Sequence, residues 1–262
     1  MDNLANRNIK ITRNTISSNN NNKMDILTKR NIHTKNNDNI TPLIPLDPNV
    51  DKKETISIST MDIETMNYKG LQIPVAISIA YNFNEKKLFL IDSKLLKTDL
   101  DEAINKLWED YFIFVKNNIK YFKNIFVHNL GSFDGYFIYK GLTKLFPAFI
   151  STIIDNNNKF IQITFKYDKF KINWKDSYRI YPISLDDLCK TFNVEGKINK
   201  YDIRFNNLDL FNNLNLLKKF KEYSIQDSVC LLNALLNAQD LYFKDHNVDP
   251  VSQKFYQLLL YL

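Results

Sequence analysis

Cysteine is nearly absent from this 262-residue chain, which holds only Cys189 and Cys230. They sit in apolar surroundings without repeated spacing, so neither a disulfide framework nor a zinc site is expected, and a reducing compartment is the default. Long apolar runs are missing as well. Residues 1–30 contain no apolar core for a secretory signal, and the stretch Leu258 to Leu262 is far too short to span a bilayer. No membrane partner is expected. Glycine and proline are scarce, at 5 and 7, against an abundance of Asn, Lys, Ile, Phe and Tyr. The abundant residues have AT-rich codons, a bias that fits an organellar genome.

What is present supports a folded, mildly basic protein. Hydrophobic residues make up 44%, with 19 Phe and 14 Tyr, which is ample for a packed core. A net charge of +6 favours a polyanionic partner, though only weakly by itself. Residues 1–50 differ from the rest: they are Asn-rich, including Asn19 to Asn22, and lack periodicity, which predicts a disordered polar tail. Arg7, Arg13, Ser17 and Ser18 also fit a transit peptide, a reading the Asn bias opposes. Pro42, Pro45 and Pro48 mark the boundary.

From Thr55 the pattern is α/β. Ile56, Ile58, Thr60, Asp62 and Glu64 fall on one face of a strand, and Ser57, Ser59, Met61 and Ile63 on the other. Val75 to Tyr81 alternates as a second strand, and Lys87 to Asp92 as a short third. Leu100 to Asn117 is predicted as an amphipathic helix, Asn124 to His128 as a buried strand, and Phe133 to Phe146 as a helix. Phe160 to Tyr167 and Phe170 to Trp174 read as a hairpin turning at Asp168-Lys169. Ser184 has the character of an N-cap before Asp186 and Asp187, and Phe211 to Leu241 is largely helical.

Three acidic motifs stand out: Asp62-Ile63-Glu64-Thr65, then His128-Asn129-Leu130-Gly131-Ser132-Phe133-Asp134, then Tyr223-Ser224-Ile225-Gln226-Asp227. They supply four carboxylates and a phenol, the inventory of a two-metal phosphodiesterase, whose ions stand about 3.5–4 Å apart. Asp62 and Glu64, two apart on a strand, leave one face with Cα atoms about 6.5–7 Å apart. Each acid alone has an ordinary explanation. A strand end reaching water explains the first pair, the helix macrodipole explains Asp134, and a surface pair at i and i+4 explains Tyr223 with Asp227. Their joint occurrence in this order, with Asn129 ahead of Phe133 and Asp134, is what raises the set above those explanations.

The three segments resemble the exonuclease motifs of family B DNA polymerases. They are most similar to the protein-primed branch of bacteriophages and of linear plasmids in fungal and plant mitochondria. The resemblance covers about Ile56 to Leu241. It implies a ribonuclease-H-like 3′–5′ exonuclease fold, a mixed central sheet flanked by helices, over residues 55–245. It further implies Asp62, Glu64, Asp134 and Asp227 as ligands of two Mg²⁺ ions, with Mn²⁺ an alternative, and Tyr223 as the group that orients the attacking water. Thr65, His128, Asn129 and Phe133 match positions that hold the single-stranded 3′ end of a primer. Ser184-Leu185, followed by Asp186, Asp187 and Leu188, fits a Ser/Thr-Leu-x-x-hydrophobic motif that contacts single-stranded DNA and terminal protein. A catalytic lysine is expected in a Lys-x-x-hydrophobic setting, where Lys200 with Ile203 fits and Lys197 is the second candidate. Related exonucleases place a histidine five residues before the last aspartate; Glu222 stands there, which supports the tyrosine type.

Family B polymerases continue into palm, fingers and thumb, whereas here 22 residues follow Asp240. The chain alone is therefore not expected to polymerise DNA, and residues 246–262 read as a truncated or unrelated extension. Three functions fit: a proofreading 3′–5′ exonuclease portion, alone or with a separate polymerase chain; a non-catalytic remnant that binds single-stranded DNA or terminal protein; and a 3′–5′ exoribonuclease of the same fold. The resemblance, together with the codon bias of the gene, implies a mitochondrial location.

Overall fold

The computed structural model describes residues 58–196 and 201–252. Residues 1–57 and 253–262 lie outside the described residues, as do Lys197 and Lys200.

Strands β1 (Ile58–Tyr68), β2 (Leu71–Tyr81) and β3 (Glu85–Leu90) form an antiparallel meander. The β1–β2 turn is tight because Lys69 and Gly70 both take positive φ, the requirement of a two-residue hairpin. On the other side of β1, β4 (Asn124–Val127) and β7 (Phe170–Asp176) add in parallel. Strands β6 (Phe160–Tyr167) and β5 (Ile150–Ile154) then close the sheet antiparallel, in the order β3-β2-β1-β4-β7-β6-β5.

The alternation in β2 decides how helices cover the two faces. Val75, Ile77 and Ile79 join the main core with Leu107, Trp108 and Tyr111 of α2 (Leu100–Asn117) and with Ile138 and Leu142 of α3 (Asp134–Leu145). Between residues 76 and 80 the opposite face of the same strand carries Ala76, Ser78 and Ala80. Small side chains there let the long helix α5 (Leu214–His246) lie close over β1 and β2. Ile58, Ala80 and Phe126 pack under it with Leu231, Leu232 and Leu235. The architecture is the α/β, ribonuclease-H-like mixed sheet flanked by helices that the sequence leads one to expect.

Several boundaries differ from the sequence reading. Helix α2 spans the predicted residues, capped by Asp99, whose carboxylate accepts the Glu102 N–H at 3.0 Å. Strand β3 begins at Glu85 instead of Lys87, because its ladder to β2 opens with the Tyr81–Glu85 pair. Helix α1 (Ser93–Thr98) and strand β5 were not foreseen, and α5 starts at Leu214 after a 3₁₀ turn, Leu208–Asn212, that takes up Phe211. Helix α4 (Leu185–Thr191) begins as predicted, with Ser184 Oγ accepting the Asp187 N–H. After α5, Asp249 accepts hydrogen bonds from Gln239, and Val251 is buried with Leu188 and Leu231. No helix among the described residues is long and apolar enough to cross a membrane.

Candidate metal centre

Asp62 and Glu64 sit midway along β1, alternating with the buried Met61 and Ile63, so their carboxylates rise toward α5 and stay partly exposed. The ladder to β2 shifts register between Glu64 and Thr65, where Glu64 pairs with Ala76 and Thr65 with Pro74. Proline cannot donate to a ladder, and a bulge is where a strand tolerates one. Such a bulge re-aims side chains locally. Here it falls at the first acidic motif.

The third motif is brought to the first by the seating of α5. Thr60 Oγ1 donates to the Ser228 carbonyl at 2.6 Å, and the Ser78 and Ser228 hydroxyls share a hydrogen bond of 2.5 Å. Both contacts fall one residue past Asp227. As a result Asp62, Glu64 and Asp227 each offer a carboxylate oxygen, and these oxygens lie within 4.8 Å of one another. Tyr223 stands one helical turn before Asp227, its ring centroid 5.7 Å from Phe205 and 5.9 Å from Tyr201.

Asp134 is outside that tight trio but adjoins it. It opens α3, is buried, and accepts a backbone hydrogen bond from Ile63, between the two acids of β1. Burial, and after it the negative charge of Asp62, holds its carboxyl well above the usual carboxylate range. Its Oδ1 is buried without a hydrogen-bond partner. Three hard carboxylate oxygens thus gather beside the buried Asp134. The donor set fits a divalent ion such as Mg²⁺ or Mn²⁺.

The residues expected to hold a nucleic-acid end come from β1, from the loop between β4 and α3, and from the start of α4. Thr65 Oγ1 accepts from Gln72 Nε2 at 2.5 Å. His128 Nε2 meets the Ile183 carbonyl at 2.8 Å, which requires the proton on that nitrogen, and Nδ1 meets Ser177 Oγ at 3.1 Å. The histidine thereby ties the middle motif to the residue preceding Ser184. Asn129 adopts φ +63°, a left-handed conformation that Asn tolerates better than most residues, and its side chain is exposed. Phe133 is exposed and packs edge-on against Phe137 at 5.2 Å. Beside Asn129 opens a polar cavity of about 280 Å³, walled in part by Ser132, Lys159, Tyr178 and Arg179. Ser184 caps α4, and Leu185 packs partly buried on the core under α5.

Sequence reasoning passed over Asp176, at the end of β7. It is 2% exposed, yet it accepts N–H groups from Leu130 and Gly131 in the middle motif, each at 3.2 Å. Burial pushes its carboxyl above the ordinary value, against the pull of the Gly131, Tyr178 and Leu130 amides and of Arg179. An acid that ends a strand beside the Ser177 turn was the only signal in the sequence.

Known proteins are similar to this chain in sequence and in fold. Residues 115–247 match the family described as DNA polymerase type B, organellar and viral. A probable DNA polymerase of Ascobolus immersus is 34% identical over 156 residues, covering 58% of this chain and 12% of that protein. One from Agaricus bitorquis is 26% identical over 170 residues, covering 62% and 21%. The chain thus spans a small part of the length of both relatives. The family B DNA polymerase of the hyperthermophilic archaeon Pyrobaculum calidifontis superposes with a TM-score of 0.50 at 13% identity, over 78% of this chain and 27% of that one, and shares the fold. With half of its length matched to the family, the chain belongs to the type B DNA polymerases of the organellar and viral kind.

Proposed function

We propose that this domain removes nucleotides from the 3′ end of single-stranded DNA, the editing activity of a replicative polymerase. The observation that carries the reading is the convergence of Asp62, Glu64 and Asp227 within 4.8 Å, with the buried Asp134 alongside. Two divalent ions, when bound, neutralise charge on the phosphate and on the attacking and leaving oxygens. Asp62 and Glu64 from β1, Asp227 from α5 and Asp134 from the start of α3 would hold those ions. Tyr223 would orient the water that attacks phosphorus. Phe133 offers an exposed ring to a frayed base, a stacking contact of about 1–3 kcal/mol. Asn129 and Thr65 hydrogen-bond the terminal nucleotide, and His128 keeps the Asn129 loop against the segment that leads into Ser184-Leu185, which meets the strand further on and, in a protein-primed system, terminal protein. Lys200, or Lys197, supplies a cation to the scissile phosphate. The match to organellar and viral polymerases and the AT-biased composition support a place in replication of mitochondrial or linear-plasmid DNA.

The test is release of label from 3′-labelled single-stranded DNA in Mg²⁺, beside an RNA of the same sequence and a protein carrying Asp62→Ala with Glu64→Ala. The reading expects mononucleotides from DNA with the wild type alone. Preference for RNA would move the activity to the exoribonuclease class, and binding without release by either protein would reduce the domain to a DNA-binding remnant.

A further inference from the structure

Asp176 takes no part in the chemistry just described, yet its side chain reaches across from β7 into the loop between β4 and α3. Its Oδ1 accepts the N–H groups of Leu130 at 3.2 Å and Tyr178 at 3.0 Å. Its Oδ2 accepts the Gly131 N–H at 3.2 Å and stands 3.9 Å from Arg179 Nε. Arg179 is itself paired with Asp155, whose carboxylate holds the Asn157 and Lys159 amides of the β5–β6 turn. The loop is also closely packed, since a Cβ at Gly131 would meet the Phe160 carbonyl oxygen at 2.7 Å and Asp176 Oδ2 at 3.4 Å. The remaining turn closes on itself through Ser132 N–H to Asn129 O and Gly135 N–H to Leu130 O. Asn129, Phe133 and Asp134 all ride on this short segment, so its backbone position fixes where three groups of the site stand relative to Asp62.

We propose that Asp176 is a positioning residue for the 3′-end site, holding the backbone of Leu130 and Gly131 so that Asp134 and Asn129 face the carboxylates of β1. The role rests on the exonuclease reading for its consequence, but the clamp itself has a readout of its own. In Asp176→Asn the shape is kept while one acceptor oxygen becomes an amide that cannot take an N–H. Amide hydrogen exchange should then speed up about tenfold or more across residues 129–134, the effect of losing one or two buried hydrogen bonds, with β1 unchanged. In the nucleotide-release assay the Mg²⁺ concentration for half-maximal rate should rise several-fold and kcat should fall about tenfold, as misplacement of a ligand demands. Gly131→Ala, whose Cβ would crowd both the Phe160 carbonyl oxygen and Asp176 Oδ2 and so displace the same contact from the loop side, should reproduce both changes. Unchanged exchange at 129–134 in Asp176→Asn, or faster exchange spread equally over β1, would overturn the assignment. Should the wild type release no nucleotide, the exonuclease reading fails while the exchange pattern still decides the clamp.

Discussion

Thr60 donates a hydrogen bond of 2.6 Å to the carbonyl of Ser228, joining the strand two residues before Asp62 to the helix one residue after Asp227. The candidate metal centre depends on that seating. Neither β1 nor α5 holds enough acids alone, and the small side chains of β2 are what allow the two to approach.

Enlarging one of those side chains should open the centre. Ser78→Leu places a branched chain where a hydroxyl now meets Ser228 at 2.5 Å. Overpacking of this kind costs about 1–3 kcal/mol. A shift of about 1 Å at a catalytic group can lower a rate 100-fold. The expected outcome is a folded protein with a lowered melting temperature and nucleotide release reduced far more than stability.

A second substitution tests the core away from the site. The buried Trp174 donates from Nε1 to the Tyr111 hydroxyl at 3.0 Å. Tyr111→Phe leaves that indole N–H without its acceptor, a loss of about 1–3 kcal/mol. Urea unfolding should show a lower midpoint at an unchanged slope, and the rate per folded molecule should stay the same.

The acids should couple stability to pH through the cation. Burial, then the charge of Asp62, raises Asp134, so the folded chain without metal keeps a proton that the unfolded chain loses above about pH 4. Stability present below that pH is lost as pH rises through the raised value. The melting temperature without metal should therefore fall from about pH 4 upward, and saturating Mg²⁺ should flatten the curve, because the ion replaces the proton. Asp134→Asn should flatten it without metal.

Asp155 has the opposite sign. Burial pushes its carboxyl up, but Arg179 and the Lys159 and Asn157 amides outweigh that and hold it below the ordinary value. Its contribution is present above about pH 4 and lost as pH falls through the depressed value. Melting curves of wild type and Asp155→Asn should differ at pH 6 and converge toward pH 2.

How much of this was legible in the sequence follows from the range of each signal. Strand alternation in β1 and β2, the helix opened by Asp99 and the cap at Ser184 are local, and residues within a few positions announce them. Strand β5 is five residues long and follows Pro147, too short for its alternation to stand out, and α1 is a single capped turn and a half. Asp62 and Glu64 could be paired from their spacing of two, and Tyr223 with Asp227 from their spacing of four. The clamp from Asp155 through Arg179 and Asp176 to Gly131 could not, because its members lie on four separate elements and meet only when the sheet closes. Likewise, nothing in the sequence shows that Ser78 and Ser228 touch across 150 positions.

The central claim is tested most directly with a 5′-labelled single-stranded DNA incubated with the protein and Mg²⁺ and resolved by length over time. The account predicts a ladder that shortens one nucleotide at a time from the 3′ end, abolished by chelation. Asp227→Asn, with its fold verified by circular dichroism, should slow that ladder by a factor of about 100 or more. An intact substrate after prolonged incubation with folded wild type, or a ladder undiminished in Asp227→Asn, would contradict it.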